Sequence, residues 1–320
     1  MNGALLVNKP QGISSFAVIE ALQRARLEWL RKSDPKIKKS SLPKIGHGGT
    51  LDPFATGLLV VCIGRGVKLS RYFLDSDKTY AAQILFGIQT ESGDPTTPIK
   101  NTSETLPKSL HEIQLAAHTF VKKDYFQTPP MHSAIKQNGK PLYELARQGI
   151  EVERKTRLQK IYSFEVDHYL APYADARISC SSGTYIRTLA EDIAKNLGTL
   201  ASLNQLKRTQ SCSHSVESAL SLDQLVELTR NGEDWNTLSC WVHFNDLLDH
   251  LPSIELEHQE EIDLVCGRQG NLPSVMARLS AAPAALSLPV VLRNADRLVA
   301  VARFENETWG LERVFPPGET

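Results

Sequence analysis

Residues Gly46–Gly57 read GHGGTLDPFATG and run directly into six apolar residues, Leu58–Ile63. This junction limits the possible folds more than any other stretch. A continuous apolar run of that length reads as a strand buried on both faces, so the chain must build a sheet with covered sides. Just before it, a lone carboxylate, Asp52, stands between a glycine-rich turn and a proline. Gly46, Gly48 and Gly49 open positive φ to the backbone and let a ligand approach closely. Pro53 fixes φ after the acid and biases Asp52 itself toward an extended conformation. Taken alone, Gly-Asp-Pro is a loop with an Asx-turn. Here it describes a carboxylate held on a stiff loop, with His47 nearby.

Composition narrows the function classes. The 320 residues leave room for one large domain and a small one. Lys plus Arg (36) balances Asp plus Glu (36). The balance excludes a protein that coats nucleic acid by bulk charge and points to local basic surfaces if RNA binds. No apolar run approaches a membrane span. The N-terminal MNGALLVNKPQG lacks the basic and long apolar segments of a signal peptide. Cys62, Cys180, Cys212, Cys240 and Cys266 are scattered and never form C-x-x-C. They read as reduced thiols of a cytoplasmic protein. No His/Cys cluster has zinc spacing, so no metal is expected.

Along the chain, Ala4–Val7 is a short strand, and Ser14 or Ser15 caps a helix with Val18, Leu22, Ala25 and Trp29 on one face. Residues 31–44 hold six basic residues, one acid, two prolines and three serines. They are either a solvated loop or a basic arm that meets phosphates. Residues 64–74 look helical. Lys78–Phe86 alternates as a strand, with Tyr80, Ala82, Ile84 and Phe86 on one face. Ser109 and Glu112 form a capping box, and residues 184–197 form a helix stopped by Gly198. Strands and helices mix without a regular repeat, which predicts an α+β main domain. The tail offers strands at 289–293, 297–304 and 309–314, a β-rich unit of about 70 residues, marginal alone and expected to lean on the main domain. Residues 277–288 are Ala/Ser-rich and give no clear signal. The expected division is 1–245 and 246–320.

The Gly46–Gly57 string resembles the catalytic motif of the TruB family of tRNA pseudouridine synthases. Four further strings match that family in order: Asn8–Ser15 (NKPQGISS), Asp77–Tyr80 (DKTY), Gln127–Gly149 (QTPPMHSAIKQNGKPLYELARQG), and Cys180–Thr188 (CSSGTYIRT) followed by Leu206–Thr209. The resemblance implies the pseudouridine synthase fold: a mixed, largely antiparallel central sheet flanked by helices, followed by a small C-terminal β-rich, PUA-like, RNA-binding domain at 246–320.

It also implies a reaction. Isomerising uridine to pseudouridine breaks the N1–C1′ bond, turns the base and rejoins it through C5. No electrons or atoms are gained, so no cofactor is expected. Asp52 is the expected nucleophile or base at the sugar. Arg187 is the fixed guanidinium that keeps it ionised. Tyr80 is the expected stacking partner of the flipped base. His47, Tyr185 and Leu206 support or wall the base, and Lys9 and Lys68 either meet RNA phosphates or are simply solvated. The implied partner is the T-arm stem-loop of tRNA, modified at uridine 55 by a monomer. Two other readings stay open: the same isomerisation on another RNA, and an RNA chaperone that refolds tRNA without catalysis.

The chain departs from the family pattern in places. Gly48 stands where Thr or Ser is usual, His132 where Tyr is usual, and Cys212 and His214 where Gly and Phe are usual. His132, Cys212 and His214 are expected to lie clear of Asp52, Tyr80 and Arg187.

Overall fold

In the computed structural model, which describes residues 1–137, 139–279 and 288–318, the Leu58–Ile63 run is an interior strand of an eleven-stranded mixed sheet. Its principal strands are β1 (Gly3–Lys9), β2 (Ile45–His47), β3 (Thr56–Ile63), β4 (Lys78–Phe86), β5 (Asp124–Gln127), β6 (Arg157–Leu170), β7 (Tyr173–Cys180) and β8 (Ala201–Ser211). Their order is β1-β3-β8-β4-β7-β6-β5, with β2 also on β3. Every pairing among them is antiparallel except β3 with β8. Both sides of β3 are covered, as the apolar run requires: none of Leu58–Ile63 exceeds 1% exposure. On β4, Ala82, Ile84 and Phe86 are buried and Tyr80 is half-buried on the same side. The α+β class and the mixed, largely antiparallel sheet are therefore what the molecule has.

Helix α1 (Ser15–Arg31) starts where Ser14 Oγ accepts from the Ala17 amide at 3.1 Å, and it buries Val18, Leu22 and Ala25. Residues 64–74 divide into a tight turn (Gly64–Leu69) and the short helix α2 (Ser70–Leu74). At α3 (Leu110–His118) only half of the expected capping box forms. Ser109 accepts from the Glu112 amide at 3.2 Å, but the Glu112 carboxylate accepts from the Lys108 amide at 2.6 Å instead of from Ser109. Helix α4 (Ile186–Asn196) begins two residues later than the periodicity suggests, because Tyr185 is extended as its N-cap.

The tail forms a second sheet, β9 (Ser253–Glu255), β10 (Val290–Asn294), β11 (Arg297–Glu305) and β12 (Thr308–Val314), in that order. Alternation divides its apolar residues. Val290 and Leu292 face their own cluster with Ile254, Leu264 and Val275, whereas Val291, Leu298, Val301 and Phe315 join the cluster of the main sheet. The small sheet thus leans on the large one through one face. Most of the Ala/Ser-rich 277–288 stretch lies outside the described residues. Among the described residues, no helix is long and apolar enough to cross a membrane.

Gly48 corrects the expectation for the glycine-rich turn. Of Gly46, Gly48 and Gly49, only Gly49 takes a positive φ (146°). Gly48 is required for space: a Cβ there would lie 2.4 Å from Phe73 Cβ. Phe73 is fully buried, with the rings of His214 and His250 at 6.1 Å and 5.9 Å. Cys212, at φ 53°, places its Sγ 2.9 Å from Ser76 Oγ just beyond α2. Three unusual positions, Gly48, Cys212 and His214, therefore belong to one local repacking around the α2 segment. Gly48→Thr should lower stability by about 1–3 kcal/mol, the range for an overpacked core. Adding Phe73→Leu should recover little of that loss, because leucine keeps the Cβ and Cγ that the added Cβ would strike. Urea unfolding of the single and double variants checks this, and full recovery in the double variant would show that the ring sets the limit.

Candidate active site

Asp52 lies on the loop between β2 and β3, and its Oδ2 is 2.9 Å from Arg187 Nε. Arg187 sits in the first turn of α4 with 3% of its side chain exposed. Its other nitrogens are also engaged. Nη1 donates to the Ser92 carbonyl at 2.6 Å and Nη2 to the His132 carbonyl at 2.8 Å. Asp94 Oδ2 stands 3.8 Å from Nη1. Gly93 makes this approach possible: at φ 75°, a Cβ there would lie 3.2 Å from Arg187 Cβ. The planar fork is fixed by main-chain acceptors independently of Asp52, a role lysine could not fill. The expectation that His132 lies clear of Arg187 is thus corrected. The contact is through its carbonyl, so the identity of its side chain does not decide it.

Asp94 is a second carboxylate that sequence reasoning missed. It is buried, and its Oδ1 accepts from Ser92 Oγ at 2.7 Å and from the Thr96 amide at 2.9 Å. The signal available was Ser92-Gly93-Asp94, a turn-forming string with an Asx bond two residues on. Burial pushes the Asp52 carboxyl above the ordinary value, Arg187 opposes that shift, Asp94 adds to it, and Lys9 opposes it.

Lys9 is the clearest correction. Expected on phosphates or in solvent, it is fully buried. Its Nζ donates to the carbonyls of Pro10 (2.9 Å), Ile13 (2.8 Å) and Pro53 (3.3 Å). The physical reason is its place at the end of β1, beneath the Asp52 loop, where turn carbonyls need donors. Burial draws its pKa down to about 8, against the pull of Asp52. The same motif braces the loop twice more. The Gly12 amide donates to the Pro53 carbonyl at 2.7 Å. Ser15 Oγ accepts from the Leu51 amide at 2.8 Å and donates to the Leu51 carbonyl at 3.1 Å.

A cleft of about 460 Å³ opens over Asp52, and Tyr80, Tyr185, Arg187 and Leu206 line it. Burial raises the Tyr80 phenol to about 12, so it is a neutral donor near pH 7. Tyr185 is fixed through its backbone: its amide donates to Gln127 Oε1 at 2.8 Å, and its carbonyl accepts from Gln127 Nε2 at 3.0 Å. Buried Arg208 donates to the carbonyls of Leu58 (2.7 Å) and Gly49 (3.1 Å), tying β8 to the loop and to β3. His47 does not line the cleft. It pairs with Val61 across β2 and β3, and burial and Arg208 hold its imidazole below the ordinary value. Lys68 is exposed on the Gly64–Leu69 turn and also does not line the cleft.

Residues 36–186 match the family described as "TruB family pseudouridylate synthase (N terminal domain)". The tRNA pseudouridine synthase B of Neisseria meningitidis serogroup B is 40% identical over 269 residues, which cover 84% of this chain and 81% of that protein. The protein of the same name from Bordetella avium is 43% identical over 234 residues, covering 72% of this chain and 88% of that protein. Among solved structures, a Cbf5-Nop10-Gar1 complex aligns with 98% of this chain and 85% of that chain at a TM-score of 0.70 and 22% identity, a likeness of fold.

The electrostatics predict a titration. The Asp52 carboxyl should protonate above the ordinary aspartate value of 3.8, because burial disfavours its charged form. Arg187→Ala removes the main opposing attraction, so the midpoint should move to higher pH. Carboxyl NMR titration of both proteins checks this, and a midpoint that stays still or falls would show that Arg187 does not hold the charge.

Proposed function

The chain belongs to the TruB family of pseudouridylate synthases and forms pseudouridine in tRNA; we propose that its target is uridine 55 in the T-arm loop and that Asp52 performs the exchange. The observation that carries this reading is the Asp52 carboxylate at the cleft, held 2.9 Å from a guanidinium that main-chain carbonyls already fix. A uridine inside a folded loop reaches Asp52 only when flipped out of its stack. Leu206 walls the base, Tyr80 stacks on it, and Tyr185 supports the pocket. Asp52 acts as nucleophile or base while the N1–C1′ bond breaks, the base turns and C5 bonds to C1′. The C5 proton leaves and N1 gains one, so the formula is unchanged.

In this reading residues 1–245 are the catalytic part and 246–320 a PUA-like RNA-binding part. Lys68 and His47 contact RNA outside the cleft. In this reading the enzyme works as a monomer. All five cysteines are free thiols, which supports the reducing cytoplasm as its compartment.

Asp52→Asn should abolish release of the C5 hydrogen from tRNA labelled there, while tRNA affinity stays within a few-fold of the parent. Turnover near the parent's rate would overturn the catalytic assignment. A transcript with cytidine at position 55 should yield no pseudouridine, and product elsewhere in the RNA would reassign the target.

Tyr80→Phe should bind tRNA nearly as well as the parent, since the ring remains. Tyr80→Ala should lose activity and about 1–3 kcal/mol of base stacking. Competition binding and turnover measurements test this, and a fully active alanine variant would confine Tyr80 to the core.

A further inference from the structure

We infer that residues 36–44 are a second docking surface for the substrate RNA, one that holds the phosphates of a stem outside the cleft. The inference rests on the reading that the substrate is tRNA. Lys36, Lys38, Lys39 and Lys44 lie within nine residues that contain no acid. All four are exposed. Among the described residues, none of their ammonium groups has a hydrogen-bond or ion-pair partner. Several exposed arginines are paired instead. Arg177 pairs with Asp167 and Glu165, Arg230 with Glu28, Arg268 with Asp263, and Arg278 with Glu260. In a chain whose formal charges sum to zero, four unneutralised ammoniums on one short segment make a local positive field that attracts a polyanion.

The segment is shaped, not loose. The Ile37 carbonyl accepts from Arg31 Nε at 3.1 Å, the Ile37 amide donates to the Asp34 carbonyl at 3.2 Å, and Lys39–Ser41 forms a turn. The only acid in residues 31–44, Asp34, turns its carboxylate to the Lys36 amide at 3.0 Å. The segment is tied to the sheet at the opposite end of β3 from the Asp52 loop. Lys44 adjoins β2, and its carbonyl accepts from the Gly64 amide at 2.7 Å, which joins the arm to the turn that carries exposed Lys68. Lys44 precedes Asp52 by eight residues, so their Cα atoms are at most ~29 Å apart along an extended chain. An RNA stem whose loop enters the cleft and which lies along β3 is long enough to reach it. Lysines are point charges without a fork, which suits backbone positioning without base reading.

The test replaces Lys36, Lys38, Lys39 and Lys44 by Gln together and measures tRNA affinity for parent and variant at several salt concentrations. The slope of log K against log salt should flatten by roughly 0.7–0.9 for each phosphate that the variant no longer neutralises. The single-turnover rate at saturating tRNA should match the parent's, which also reports that the variant is folded. A flattening of roughly 0.7 or more supports the surface, and a smaller change overturns it. An Asp52→Asn protein that still converts uridine would sink the catalytic reading and leave this comparison intact. Equal slopes alongside an inert Asp52→Asn protein would sink only the arm.

Discussion

The site depends on one ion pair whose two halves are held by different means. Asp52 is placed by its loop, and Arg187 by α4 and two main-chain carbonyls. A buried carboxylate without a fixed partner takes up a proton, and a buried guanidinium without acceptors costs several kcal/mol. Here the guanidinium is satisfied by Ser92 and His132 before the acid is counted. Its orientation therefore survives any change in the charge of Asp52. The substrate meets a site that needs little reorganisation.

Around this pair, long polar side chains do the joining that apolar packing cannot. Lys9 ends β1 under the Asp52 loop, and Arg208 reaches from β8 to the carbonyls on either side of the loop. Each is buried; Lys9 donates to loop carbonyls, and Arg208 to one carbonyl of the loop and one of β3. Much of the loop's main chain is thereby satisfied without a regular ladder, and the Asp52 segment stays irregular and still held.

What the sequence shows follows from how local the cause is. The β3 run, the Ser14 cap and the alternation of β4 are set by neighbours within a few residues, and they were legible. Asp52 was legible because its glycines and proline stand beside it. Arg187 needed the family motif, since nothing near residue 187 says that residue 52 returns to it. Asp94, the burial of Lys9 and the role of Arg208 were not legible. Each is decided by segments 44 to 159 residues away that meet only in the fold. A lysine after an apolar strand looks the same in sequence whether it ends in water or beneath a loop. The half-formed capping box at Ser109 shows the same limit on a smaller scale, with one residue of slack moving a partner from Ser109 to Lys108.

The contact of Gly48 with Phe73 also sets which changes residue 48 would accept. An added Cβ would strike Phe73 Cβ and Cγ, atoms shared by every apolar residue larger than alanine. The loop before Asp52 therefore lies against the stem of that side chain and not against its ring. Trimming the ring opens no room there, so the glycine is dictated by the course of the two main chains.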